Sequence, residues 1–166
     1  METTLRVTER RTFEDLYAAH GRAAVHLGYL LTGNVNDAED LAHEAFVRVI
    51  GRFGDLRKPE AFRSYLMRSV VNLAKSEFRR RDVARRKQPS LVPLAPEEPP
   101  DLETRDELAA ALARLPHRQR AAVVLRFCED LSEQATADVM GTSVKAVKAL
   151  VGRGLRALRE QEGVST

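Results

Sequence analysis

Apolar residues recur along this chain at spacings of three and four and nowhere alternate strictly, so the pattern predicts helices and no strands. The first stripe is Phe13, Leu16, Tyr17, Ala24, Leu27 and Leu31. Thr12 stands where an N-cap belongs, with Asp15 reaching back to it, and Gly33-Asn34 marks the stop. The second stripe is Ala38, Leu41, Ala42, Ala45, Phe46, Val49 and Ile50. It opens at Asn36, with Glu39 in the capping-box position, and closes at Gly51 and Gly54. Pro59, a favoured first helical residue, starts a third helix that runs to about Arg81. Its apolar face is Phe62, Tyr65, Leu66, Ser69, Val70 and Leu73.

The helical pattern then breaks. Pro89, Pro93, Pro96, Pro99 and Pro100, five of the seven prolines, fall in one stretch that cannot be helical and reads as a semi-extended tether. It separates an N-terminal module, residues 12–84, from a C-terminal one, residues 102–160, with 85–101 as the linker. The fold class expected is all-α: two small helical domains joined by a flexible proline-rich linker. Beyond the tether, Leu108, Leu112 and Leu115 form a short stripe, and Pro116 begins a helix through Val124, Leu125 and Phe127. A helix-turn-helix needs a small residue inside its first helix, a residue tolerating positive φ four positions later, and an aliphatic anchor six beyond that. Ala137, Gly141 and Val147 meet the three demands. Ser143 is placed to cap the second helix, whose apolar stripe is Val144, Val147, Val151, Leu155 and Leu158. Gly152 and Gly154 each weaken that helix by roughly 1 kcal/mol relative to alanine.

Composition narrows the class. The 166 residues are 43% hydrophobic and 31% charged, enough apolar content to bury a core. No apolar run approaches the roughly 20 residues of a membrane helix, and the start METTLRVTERRTF lacks the apolar stretch of a secretory signal. A cytoplasmic protein with no membrane attachment is expected. The single cysteine, Cys128, has no partner for a disulfide and reads as a small core residue beside Phe127.

Net charge is only +3, but it is unevenly distributed. Residues 13–56 carry 3 basic and 7 acidic side chains, residues 57–87 carry 11 and 3, residues 97–107 carry 1 and 6, and residues 114–159 carry 9 and 4. Two basic blocks parted by acidic ones point to two surfaces for a polyanion and one for something else. Arg68, Asn72, Lys75 and Arg79 share one face of the third helix. Cations stacked in this way repel each other unless a phosphate chain neutralises them, and Asn72 can both donate to and accept from a base edge. Lys145, Lys148, Arg153, Arg156 and Arg159 lie opposite the apolar stripe of the second helix of the helix-turn-helix, the electrostatics of a major-groove reader. Solvated faces of ordinary bundle helices are the bland alternative for each run.

Catalytic constellations do not emerge. His43-Glu44 is not followed by the second histidine of a zinc-protease motif, His20 and His26 fall on different faces, and no glycine-rich phosphate loop occurs. No enzyme activity, metal site or cofactor is expected.

In its motif order the chain resembles the bacterial extracytoplasmic-function (ECF, group IV) RNA polymerase sigma factors of the sigma-70 family. The resemblance rests on NDAEDLAHEAFVRVIGRF, AFRSYLMRSVVNLAKSEFRRR, LARLPHRQRAAVVLRFCEDLS and GTSVKAVKALVGRGLRALR, which together cover nearly all of residues 13–159. It implies a region-2 three-helix domain and a region-4 helix-turn-helix domain. Within that family the chain is similar to the actinobacterial SigE-like branch.

The implied roles follow residue by residue. Asp37, Glu39, Asp40, Leu41, Glu44, Phe46 and Arg48 would dock on the β′ clamp helices of core polymerase, which explains an anionic helix on a DNA-binding chain. The loop from Phe53 to Glu60 would hold an extruded base of the −10 element, with Arg57 and Lys58 beside it. Arg68, Asn72, Lys75, Arg79 and Arg80 would line the path of the single strand. Ser143, Lys145, Lys148, Ala149, Arg153 and Arg156 would enter the −35 duplex. The tether would thread toward the polymerase active-site cleft. The implied partners are core polymerase (β′ clamp helices and β flap), promoter DNA and, as is common in the family, an anti-sigma factor. The free chain is expected to be monomeric.

Ala135, Thr136, Lys145, Ala146, Ala149, Leu150 and Gly152 depart from the residues usual in the family, so base preference at −35 stays open. With no tryptophan, and with Phe62 and Tyr65 read as buried, weak promoter melting is also expected. The rival reading is a helix-turn-helix regulator acting without a sigma role.

Overall fold

The computed structural model describes the backbone of residues 2–52, 59–87 and 105–164, and the side chains of 14–52, 61–84 and 107–163. Seven α-helices occur among the described residues: α1 (Glu2–Thr32), α2 (Val35–Arg52), α3 (Pro59–Lys87), α4 (Arg105–Ala113), α5 (His117–Val123), α6 (Glu133–Met140) and α7 (Val144–Val164). A π-helical turn, Val124–Cys128, continues α5. No strand appears among the described residues.

The N-terminal bundle closes on the predicted stripes, with corrections at their edges. Helix α1 runs through Thr12 rather than starting there, and it stops at Gly33 as expected. The cap of α2 is Asn34 rather than Asn36: its Oδ1 accepts the Asp37 N–H at 3.0 Å. Gly51 lies inside α2, and Gly54 lies outside the described residues. Helix α3 begins at Pro59 and extends six residues past Arg81, to Lys87. Phe46 sits at the centre of the bundle, its ring 5.2 Å from Tyr17 and 5.7 Å from Phe62. Around it pack Leu27, Leu31, Ala45, Leu66 and Val70, all nearly or wholly buried.

Tyr65 does not join this core; it is 41% exposed. Met67, Val71 and Ala74 are buried instead, because α3 is covered along two sides, by its own bundle and by the C-terminal module.

In that module Leu112, Leu115, Ala121, Val124, Leu125, Ala137 and Val147 form the buried set. Leu108 and Phe127 are exposed, and so is Cys128, against the expectation of a core thiol. The π-helical turn accounts for the last two: widening the helix there rotates its end away from the 3.6-residue stripe. Gly154 is the point of closest approach between α5 and α7, since a Cβ there would lie 2.7 Å from Val123 Cγ2. The propensity lost at this glycine is the condition for that packing. The modules also touch each other: α4 and α5 lie against α1, α5 and α6 lie against α3, and one apolar cluster runs through both.

Candidate nucleic-acid and polymerase interfaces

Helices α2 and α3 meet at an open concavity of about 200 Å³ lined by Arg48, Val49, Arg52, Tyr65, Arg68, Ser69 and Asn72. Three guanidinium groups, an aromatic ring and an amide therefore converge on one hollow. The Arg68 guanidinium lies 6.0 Å from the centre of the Tyr65 ring, a loose cation–π arrangement. Arg68 and Asn72, expected on one face, are brought together as expected. Arg48, expected to face protein, reaches the rim of the same hollow and is also paired with Glu44 at 2.8 Å.

Further along α3, Arg79 and Arg80 are exposed while Lys75 is half-buried. Arg80 is held by Glu77 one turn back, and Arg81 by Asp37 of α2 at 2.7 Å. Arg57 and Lys58, with the loop around them, lie outside the described residues. The exposure of Tyr65 removes one premise of the weak-melting expectation, which read its ring as buried. Tyr65 and Arg52 were the residues missed at this hollow. Their positions, three residues from Arg68 and four from Arg48, are the spacings that signal a shared helical face.

The outer face of α2 carries Glu39, Asp40, His43 and Glu44, all exposed. Leu41 and Phe46, expected to face polymerase, are core residues, 8% and 2% exposed, so the outward surface of α2 is formed by their neighbours. Asp37 is occupied by Arg81. Val47 is 58% exposed on the same outward face, giving the anionic surface one apolar knob.

Helices α6 and α7 form the helix-turn-helix. Ser132 caps α6, its hydroxyl accepting the Ala135 N–H at 3.0 Å, and Ser143 caps α7 through the Ala146 N–H at 3.1 Å. Gly141 holds φ 65° at the turn, where any Cβ would be strained. Ala137 and Val147 are both buried where the helices meet. Lys145, Lys148, Ala149, Arg153 and Arg156 are all exposed along α7, as expected. Lys148 leans toward Glu133, 3.6 Å away, in an exposed pair of little energetic weight. Gly152 is exposed between Ala149 and Arg153, so the middle of this face is low and bare of donors.

Among the described residues no cluster of His, Cys, Asp and Glu could hold a metal ion, and no helix is long and apolar enough to cross a membrane. Although the residue is exposed, partial desolvation of its thiol, together with nearby Glu129, pushes the Cys128 pKa up, away from a reactive thiolate.

Two family matches cover most of the chain: residues 16–83 match Sigma-70 region 2, and residues 105–158 match Sigma-70, region 4. The chain is 34% identical over 157 residues to the ECF RNA polymerase sigma factor SigE of Mycolicibacterium smegmatis, covering 90% of this chain and 61% of that one. It is 30% identical over 154 residues to the RNA polymerase sigma-E factor of Streptomyces coelicolor, covering 90% of this chain and 85% of the relative. The fold is shared with the sigma factor RpoE of Bartonella quintana, solved with the anti-sigma factor NepR, at a TM-score of 0.73 and 20% identity over 94% of this chain and 99% of that one. CnrH, solved with the cytosolic domain of CnrY, gives a TM-score of 0.68 at 25% identity over 95% of this chain and 91% of that one.

Proposed function

The chain belongs to the sigma-70 family as an ECF RNA polymerase sigma factor, and from that premise we propose which of its surfaces does what. The hollow between α2 and α3 takes an unstacked base of the −10 element. Tyr65 offers its ring, Asn72 a base-edge partner, and Arg48, Arg52 and Arg68 neutralise the flanking phosphates. Arg79 and Arg80 continue the cationic track, with Arg57 and Lys58 ahead of it. Lys145, Lys148, Arg153 and Arg156 of α7 engage the −35 duplex, where Ala149 and the Ser143 cap approach the groove floor. Glu39, Asp40, Glu44 and Val47 face core polymerase, where the negative charge that would repel DNA suits a basic or apolar protein surface. An anti-sigma factor, of the kind bound to the Bartonella protein, is part of the same proposal.

The observation carrying this reading is that one chain holds both a cationic, aromatic-lined hollow and a complete helix-turn-helix. Sigma factors initiate transcription without catalysing it, so no reacting group is sought among these residues. In vitro transcription with core polymerase and a promoter library tests the assignment. Discrete start sites set by paired −10 and −35 elements are expected; transcripts with no start-site selection would refute it.

A further inference from the structure

From Val144 to Arg159, α7 contains cationic, aliphatic and glycine residues, and no Asn, Gln, Ser, Thr, Asp or Glu. Lys145, Ala149, Gly152 and Arg156 follow one another at spacings of four, three and four, so they form one line along the helix. All four are exposed. Lys148 and Arg153, also exposed, flank that line about 70° to either side. Val147 and Leu150, on the opposite side, are buried in the helix-turn-helix. The line is high at its ends and low in its middle. Lys145 and Arg156 stand about 16 Å apart along the axis, and between them lie a single methyl group, that of Ala149, and the bare backbone of Gly152.

The two glycines of α7 differ in what holds them. A Cβ at Gly154 would strike Val123, so packing demands that glycine. A Cβ built at Gly152 meets nothing within 4 Å. Glycine at 152 therefore weakens the helix without serving the fold, and what it provides is an unobstructed approach from outside. The major-groove edges restrict what such a face can read. Adenine is recognised by Asn or Gln and cytosine by Asp or Glu, and this stretch of α7 has none of them. Guanine suits Lys and Arg, which stand at the ends and flanks of the line. A methyl group or bare backbone suits the one apolar feature of the groove, the C5 methyl group of thymine.

We propose that Ala149 and Gly152 read thymine methyl groups in the −35 duplex, the bare backbone at Gly152 letting α7 settle close enough for contact. The inference rests on the −35 reading above and names the base that this face takes. Residues 149 and 152 are about 4.5 Å apart along the axis, a little more than one base-pair step of ~3.4 Å, so the low stretch covers one or two adjacent A·T pairs. Lys148 and Arg153, on opposite flanks, reach the phosphates of the two strands and set the depth of the helix. Their contacts give grip without sequence, and the methyl contacts give the discrimination.

The test uses the full chain with core polymerase and the promoter that gives the strongest start site in a library transcription. Each thymine of its −35 element is replaced in turn by deoxyuridine, which pairs identically and lacks only the methyl group, while the −10 element keeps its thymines. For the wild type, promoter binding in a competition assay should weaken about fourfold for each contacted methyl, the usual worth of one buried carbon group. In Ala149→Gly the same replacement should have no effect at one of those positions. Because a further glycine weakens α7, Gly152→Ala is the companion variant. Its melting temperature should rise, yet its affinity for the thymine promoter should fall several-fold, because the added Cβ lifts the helix off the methyl. Full affinity for deoxyuridine at every position, an effect unchanged in both variants, or a −35 element without an A·T pair would overturn the thymine reading and leave the −35 role standing. Binding indifferent to a scrambled −35 element would remove that role, and the inference with it.

Discussion

On α3 the cations surround a hollow, whereas on α7 they stand along an exposed ridge. Arg48, Arg52 and Arg68 close around Tyr65, Ser69 and Asn72, and the neighbouring Arg80 and Arg81 are tied to Glu77 and Asp37. Lys145, Arg153 and Arg156 project from a helix with Ala149 and Gly152 between them, and among the described residues of this ridge Lys148 leans on a carboxylate, Glu133. A hollow with an aromatic wall suits a base that has left its stack. A cationic ridge with a low centre suits the groove of an intact duplex. On the proposed reading the two faces divide the work of promoter opening, one on single-stranded and one on double-stranded DNA.

That division can be broken from either side. The largest effect is expected at Tyr65: Tyr65→Ala should weaken binding of a single-stranded −10 oligonucleotide by about 1–3 kcal/mol, the usual worth of one stacked base. Fluorescence titration reads this, and affinity for a −35 duplex should not change. Gly154→Ala comes next. Alanine is the better helix former, yet its Cβ would meet Val123 Cγ2, so overpacking of about 1–3 kcal/mol should lower the melting temperature of the protein. Gly152→Ala, with open space around it, should instead stabilise by up to ~1 kcal/mol.

A further prediction concerns His117, where α5 meets α3. Burial, then the charges of Arg120 and Lys75, lower the His117 pKa from 6.5 to about 4, with Asp82 opposing them. The unfolded chain takes up that proton near pH 6.5, the folded one only near pH 4. The folded state is therefore fully favoured above about pH 6.5 and loses stability as pH falls toward 4. Thermal melts at pH 7.5 and pH 5 should show a lower melting temperature at the lower pH, and His117→Phe should reduce the difference. The smallest effect belongs to Lys148→Ala, which should lower the slope of log affinity against log salt for the −35 duplex by about 1.

Much of this arrangement is legible in the sequence where local chemistry decides it. Ala137, Gly141 and Val147 specify the helix-turn-helix because a turn at positive φ and a close helix crossing each admit few side chains. The three N-terminal stripes likewise mark the bundle, and the spacing of Arg68 and Asn72 marks the hollow. Periodicity fails where a residue's surroundings come from elsewhere in the chain. Tyr65 carries a core spacing but faces the hollow, while Val71 and Ala74 are buried by a module far along the sequence. Leu41 and Phe46 matched a polymerase-binding motif as letters, yet their side chains point into the bundle, leaving Val47 beside the acidic residues outside. Thr12 and Asn36 satisfy capping rules that Asn34 satisfies in the fold. Arg120 gave no signal at all, since a buried guanidinium held by carbonyls looks in sequence like any arginine of a basic block.

The division of labour between the two faces is tested most directly by site-specific crosslinking within the polymerase–promoter complex. A photoreactive thiol probe on Tyr65→Cys, and separately on Ala149→Cys, each in a Cys128→Ser background, reports which DNA lies against each face. Crosslinks from position 65 should fall on the unpaired −10 strand, and those from position 149 on paired DNA at −35. Crosslinks from both positions to the same element, or from position 65 to duplex alone, would contradict the account.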